Sequence, residues 1–100
     1  MNEPDTADSC AARLRVLADP TRLEVMRLVS ESPRLVSELV ELLLIEQSLL
    51  SHHLKVLREA DLVRSVAEGQ ARRYHVVSAR SHGDALDLGC CQLTFKPPRP

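Results

Sequence analysis

Residues 47–59 carry two stripes at once, and few folds accommodate both. Leu50, Leu54 and Leu57 recur at i, i+4 and i+7, while Ser48, Ser51, His52 and Lys55 recur at i, i+3, i+4 and i+7. One face of this helix is therefore core and the other small, polar and basic. Just upstream, Ser37 followed by Glu38 predicts the cap of a short helix through Leu39, Val40, Leu42 and Leu43, apolar nearly all round. Downstream of Asp61, residues 62–67 and 71–77 read as two strands joined by a tight loop at Glu68 and Gly69. Two short helices and a hairpin in this order predict a mainly α fold with a β-hairpin, a winged helix-turn-helix.

Two further helices precede this unit. Residues 6–17 place Ala7, Ala11, Leu14 and Ala18 at spacings of three and four, with Cys10 near the helix start. Asp19 then Pro20 form an N-cap and first-turn pair, because the carboxylate accepts free backbone N–H groups and proline needs no donor there. Leu23, Met26 and Val29 form the apolar row of that second helix, widened by Val25 and Leu28, until Ser32 and Pro33 stop it. Residues 78–88 are predicted as a last helix, capped by Ser81 with Asp84 three residues on. One winged-helix DNA-binding and dimerisation domain is expected over 1–95, followed by a Pro-rich tail at 96–100. A chain of 100 residues buries a limited share of its surface, so a homodimer with a shared core is expected.

Charge decides where any nucleic acid would bind. Thirteen Lys and Arg against 14 Asp and Glu leave a net charge of −1, and an aromatic content of 2% excludes stacking platforms for single strands. A DNA site must then be local, and Lys55, Arg58, Arg64, Arg72 and Arg73 outnumber Glu59, Asp61 and Glu68 between Gln47 and His75. Small side chains let a helix approach the major groove, where Gln47, Ser48, Ser51 and His52 reach base edges and Lys55 neutralises phosphate. Arg64, Arg72 and Arg73 on the hairpin would lie beside the DNA backbone.

The longest apolar run, Leu42–Ile45, is far too short to cross a bilayer, and the acidic N-terminus lacks a secretory signal pattern, so a cytoplasmic protein without membrane contact is expected. No nucleophile, base and orienting group recur at an enzymatic spacing, and no Gly-rich phosphate loop is present, so no enzyme and no obligatory cofactor are expected. Cys10, Cys90 and Cys91 read as thiols rather than a disulfide framework, since three cysteines cannot all pair and cytosolic thiols stay reduced. His52 and His53 point about 100° apart on a helix and do not clamp one ion.

The stretches 17–23, Leu-Ala-Asp-Pro-Thr-Arg-Leu, and 50–63, Leu-Ser-His-His-Leu-Lys-Val-Leu-Arg-Glu-Ala-Asp-Leu-Val, resemble the ArsR/SmtB family of metal-responsive repressors. The wing 68–75 is similar too. The resemblance implies a dimer that binds an operator when free of effector and releases it when the effector binds, with DNA contacts at the positions of Gln47, Ser48, Ser51 and His52. Three positions depart from the family pattern: Leu44 stands where a turn glycine is common, Glu46 where a serine caps, and Leu49 where a hydroxyl is frequent. Those departures support a rival reading, a winged-helix interaction module with weak DNA binding.

The family's Cys-Val-Cys-Asp-Leu thiolate site is matched here by Leu35-Val36-Ser37-Glu38-Leu39, and its Asp-x-His site by His82 and Asp84 in the wrong order, so both are absent. What remains is Cys90 and Cys91, with Cys10 far off in sequence. Thiolates select soft centres, so trivalent arsenic, antimony or a methylated arsenical is the effector the residues favour. The family's dimer interface of first and last helices implies that Cys10 of one subunit could join Cys90 and Cys91 of the other. Oxidation of the same thiols would instead make a redox-sensing repressor.

Overall fold

The computed structural model describes residues 6–96. Its first helix, α1 (Ala7–Leu17), starts where Thr6 accepts from the Ser9 backbone N–H, and Ser9 answers by accepting from the Thr6 N–H. Asp19 caps α2 (Pro20–Glu31) through a 3.0 Å bond from the Arg22 N–H, with proline in the first turn. Val25, Met26, Leu28 and Val29 are its buried face; Leu23, expected in that row, remains 39% exposed.

The Asp19 carboxyl lies below its ordinary value of 3.8, chiefly because the Arg22 N–H bonds its charged form. A depressed carboxylate stabilises the fold above its unfolded pKa, and that contribution is lost as pH falls through the folded value. The thermal-midpoint advantage of wild type over Asp19→Asn is expected to be constant above pH 5 and to shrink below about pH 4. A gap that is independent of pH between 6 and 2 would contradict the capping role.

A short strand, β1 (Arg34–Leu35), leads into α3 (Val36–Leu43). Ser37 does not cap this helix. The helix begins one residue earlier, and the Glu38 carboxylate reaches back 2.8 Å to accept from the Leu35 N–H. Only Leu39 of α3 is fully buried, and Leu42 is more than half exposed. Leu44 ends the helix at φ +54°, in the left-handed region, with its side chain 88% exposed. That conformation strains an L side chain and costs a glycine nothing. Leu44→Gly therefore loses no packing, and chemical denaturation should show it about 1 kcal/mol more stable than wild type.

Next comes α4 (Gln47–Glu59), which buries Leu50, His53, Leu54 and Leu57. Glu46, the departure from a capping serine, sits at the N-cap without making a side-chain cap bond. Ser, Thr, Asp and Asn are the residues short enough to fold back onto N2 or N3.

The hairpin β2 (Val63–Glu68) and β3 (Ala71–Val76) is antiparallel, with Val63 opposite Val76 and Glu68 opposite Ala71. The turn is thus Gly69–Gln70, one residue later than predicted, and Gly69 takes φ +62°. β1 adds to the other side of β3, giving the order β1-β3-β2 and fixing the wing to the entrance of α3. Leu62, Val63 and Tyr74 close over the buried leucines of α4 in one core cluster.

The predicted helix at 78–88 does not form. A 3-10 turn at Ser78–Arg80 is followed by β4 (Ser81–His82), β5 (Ala85–Asp87) and β6 (Gln92–Thr94), an antiparallel sheet in that order. Leu86 and Leu88 are both buried while Ala85 and Asp87 are half-exposed, a period of two that a strand satisfies and a helix does not. Gly83 at φ +65° turns the first hairpin, and Gly89, at φ +101°, donates to the Asp87 carboxylate at 2.8 Å. Of the predicted Pro-rich tail, residues 97–100 lie outside the described residues, as does the acidic start at 1–5. Among the described residues no helix is long and apolar enough to cross a membrane.

Candidate nucleic-acid interface and thiol cluster

With Leu50, Leu54 and Leu57 anchored in the core, α4 turns its opposite face outward. Gln47, Ser48, Ser51, His52 and Lys55 fall within about 140° of helix arc, and all five are exposed. Lys55 makes one loose ion pair, 3.9 Å to Glu59, an exposed contact of little energetic weight. A groove of about 360 Å³ runs between this helix, the start of α3 and the wing, lined by Gln47 and Ser51 together with Ser37, Gln70, Arg72 and Tyr74. Sequence reasoning missed Ser37 and Gln70, which carry no periodic signal and are brought in by the wing packing on α3.

The three wing arginines do not share one face of the hairpin. In the β2–β3 register Arg72 pairs across from Ala67 and shares a face with Ser65 and Tyr74, toward α4; its guanidinium donates to Ser65 Oγ at 3.0 Å. Arg64 and Arg73 occupy the opposite face. Arg64 is exposed, whereas Arg73 is held by Glu68 at 2.7 Å and by Glu38 of α3 at 3.5 Å. The Glu68 hydrogen bond, internal to the wing, raises the Arg73 pKa, and Arg73 in turn lowers that of Glu68; the contact with Glu38 is the one that ties the wing to α3. Arg72 is the wing residue that shares the groove with the α4 stripe.

At the far side of the molecule the cysteines meet. Cys10, fully buried on α1, is disulfide-bonded to Cys90 with Cα atoms 5.9 Å apart, in place of the free thiols expected. Cys91 Sγ stands 3.8 Å from Cys10 Sγ and 3.7 Å from Cys90 Sγ, and Cys91 is exposed. The three sulfurs thus lie within 4.8 Å of one another within a single chain. The physical reason is the last sheet: buried Leu86 and Leu88 pull it onto the core beside α1, and Arg13 of α1 donates to the Leu88 carbonyl at 2.8 Å. Cys90 and Cys91 sit in the bend between β5 and β6, where neighbouring side chains are free to converge.

Residues 19–65 match the pattern described as "Bacterial regulatory protein, arsR family". An arsenical resistance operon repressor from Bacillus subtilis (strain 168) is 32% identical to this chain, over 79% of the chain and 76% of the relative. The chain belongs to the ArsR family. The "HTH-type transcriptional repressor SmtB" from Mycobacterium tuberculosis (strain CDC 1551 / Oshkosh) is 38% identical over 69% of this chain, which spans only 51% of that relative's length. In three dimensions the ArsR-family fold matches HlyU from Vibrio cholerae N16961 with a TM-score of 0.70 at 30% identity, covering 72% of this chain and 78% of HlyU.

Proposed function

We propose that this ArsR-family chain is a transcriptional repressor. It binds double-stranded operator DNA as a cytoplasmic homodimer and releases it when trivalent arsenic or antimony is held by Cys10, Cys90 and Cys91, or a methylated arsenical by Cys90 and Cys91. The observation that carries the effector assignment is the convergence of three sulfurs within 4.8 Å. Metal–thiolate bonds of about 2.3 Å set neighbouring sulfurs about 3.5–3.8 Å apart, and Cys91 already stands 3.8 and 3.7 Å from the other two. Soft thiolates with no carboxylate or imidazole among them suit a thiophilic centre and not a hard cation. Loading first requires the Cys10–Cys90 bond to be opened by a dithiol, which leaves as its own disulfide. Arsenous acid then condenses with the three thiols: three As–O bonds break, three As–S bonds form, and each hydroxyl leaves with a thiol proton as water.

Operator contact is assigned to Gln47, Ser48, Ser51, His52 and Lys55 on the α4 face, with Arg72 from the groove and Arg64 and Arg73 along the wing. Support for the dimer comes from α1, where Leu14 is 45% exposed and Ala12 and Val16 wall an open, largely apolar groove with Val56 of α4 and its C-cap Ala60. Twofold symmetry would present the two α4 helices about 34 Å apart, one turn of DNA. The test is a gel shift on the DNA upstream of the protein's own gene, with reduced protein and a panel of thiophilic ions, paired with sedimentation. Retarded DNA that trivalent arsenicals or antimony release and hard cations do not is the expected result; a monomer that leaves the DNA unshifted would overturn the proposal.

A specific observation favours a second reading, that oxidation is the signal. The Cys10–Cys90 disulfide is what two thiols and one peroxide yield, with two waters as the other product. On that reading peroxide releases the operator without any arsenical, and a dithiol restores binding.

A further inference from the structure

Helix α1 is held at both ends by groups that belong to other parts of the molecule. Near its start Cys10 is bonded to Cys90, and one turn on Arg13 donates to the Leu88 carbonyl. At its other end the last carbonyls of the helix have no intrahelical partner. Arg22 of α2 supplies one: its Nε donates to the Val16 carbonyl at 2.7 Å, placing positive charge at the negative end of the α1 dipole. The same guanidinium reaches the recognition helix, with Nη1 3.2 Å from His53 Nδ1. A guanidinium only donates, so His53 Nδ1 accepts and the ring proton sits on Nε2. His53 is 8% exposed, and its ring lies 5.7 Å from that of His52, a residue of the outward stripe.

We infer that Arg22 is a positioning residue that couples the sulfur cluster to the recognition helix, through α1 on one side and His53 on the other. The inference rests on the proposed role of the cluster and adds the path by which it acts. The cluster supplies the two-state element that such coupling needs. Cys10 and Cys90 are covalently joined in one state, whereas reduced thiols withdraw to non-bonded contact, about 3.5–3.8 Å when they share one ion. Cys10 is buried on a rigid helix and Arg13 ties that helix to the Leu88 carbonyl, so the adjustment is taken up in part by the exposed Cys90 and in part passed to α1. Val16 is six residues along the same rigid helix, about 9 Å of rise from Cys10, and carries the displacement to its carbonyl. Arg22 bridges that carbonyl and His53, so a shift on one side of the fork changes its bond on the other.

The experiment compares wild type with Arg22→Gln and Arg22→Lys, neither of which holds both acceptors, in the disulfide and fully reduced states. Ring-nitrogen NMR of His53 is the readout that a merely structural role would not move. In wild type the His53 signals are expected to differ between the two states; in both variants, which still unfold cooperatively, they should coincide. The ratio of operator affinities between the states, typically 5- to 150-fold for coupled sites, should fall to within about twofold in the variants. His53 signals identical in the two wild-type states would overturn the inference, as would an Arg22 variant that keeps the wild-type difference. If the wild-type ring responds while operator affinity does not, the path stands and the release of DNA by the cluster fails.

Discussion

Replacing Ser51 and His52 together with alanine is expected to lower affinity for operator DNA by about 100-fold or more, while binding to unrelated sequences changes by little. Each lost base contact costs about 1–3 kcal/mol, which is roughly tenfold or more apiece. Both side chains are exposed on α4, and both point away from the Leu50, Leu54 and Leu57 face, so their removal leaves the core intact. Arg72→Ala should behave differently. Its guanidinium lies in the groove beside Ser51 and is suited to phosphate, so its loss should weaken specific and non-specific binding alike and reduce the salt slope by about one. Titrations at two salt concentrations against operator and scrambled duplexes separate the two behaviours. Alanine variants at 51 and 52 that bind operator as wild type does would remove α4 from the groove.

The second large effect concerns the effector. Cys90→Ser with Cys91→Ser is expected to abolish release of DNA by every arsenical, leaving one sulfur of the three. Cys10→Ser distinguishes ligands. A methylated arsenical accepts two protein sulfurs and should still act through Cys90 and Cys91, whereas arsenite should lose a third of its bonds and most of its potency. Fluorescence anisotropy of labelled operator against each arsenical, in reduced buffer, reads these outcomes directly. A full response in the double variant would locate the effector elsewhere.

Much of this architecture was legible in the sequence because its signals are local and repeated. Asp19-Pro20 is a cap that needs only its neighbours, and the two stripes of α4 read the same in isolation as in the fold. The wing was found for the same reason, within one residue of its turn. The segment after Val77 was misread because Ser81, Asp84 and the leucines satisfied a helix template, while the alternation of Leu86 and Leu88 was too short to outweigh it. Two glycines at positive φ, Gly83 and Gly89, decide the matter in favour of strands. Leu44 was noticed as a departure from the family pattern, but its strain became visible only in the backbone. The sulfur cluster is the converse case. All three cysteines were singled out, yet the meeting of Cys10 with Cys90 within one chain depends on how the last sheet docks. A separation of 80 residues leaves no local trace of that contact.

The Cys10–Cys90 bond also changes what kind of molecule this is. Between those two residues the backbone is a macrocycle that contains α2, α3, α4 and the wing. Closing a loop of 80 residues removes chain entropy from the unfolded state worth about 4.5 kcal/mol. A protease that cuts the exposed turn at Gly69–Gln70 would then linearise the ring without dividing it. The nicked protein would keep its mass and its recognition helix until a reductant reached the cluster, at which point it would fall into two pieces.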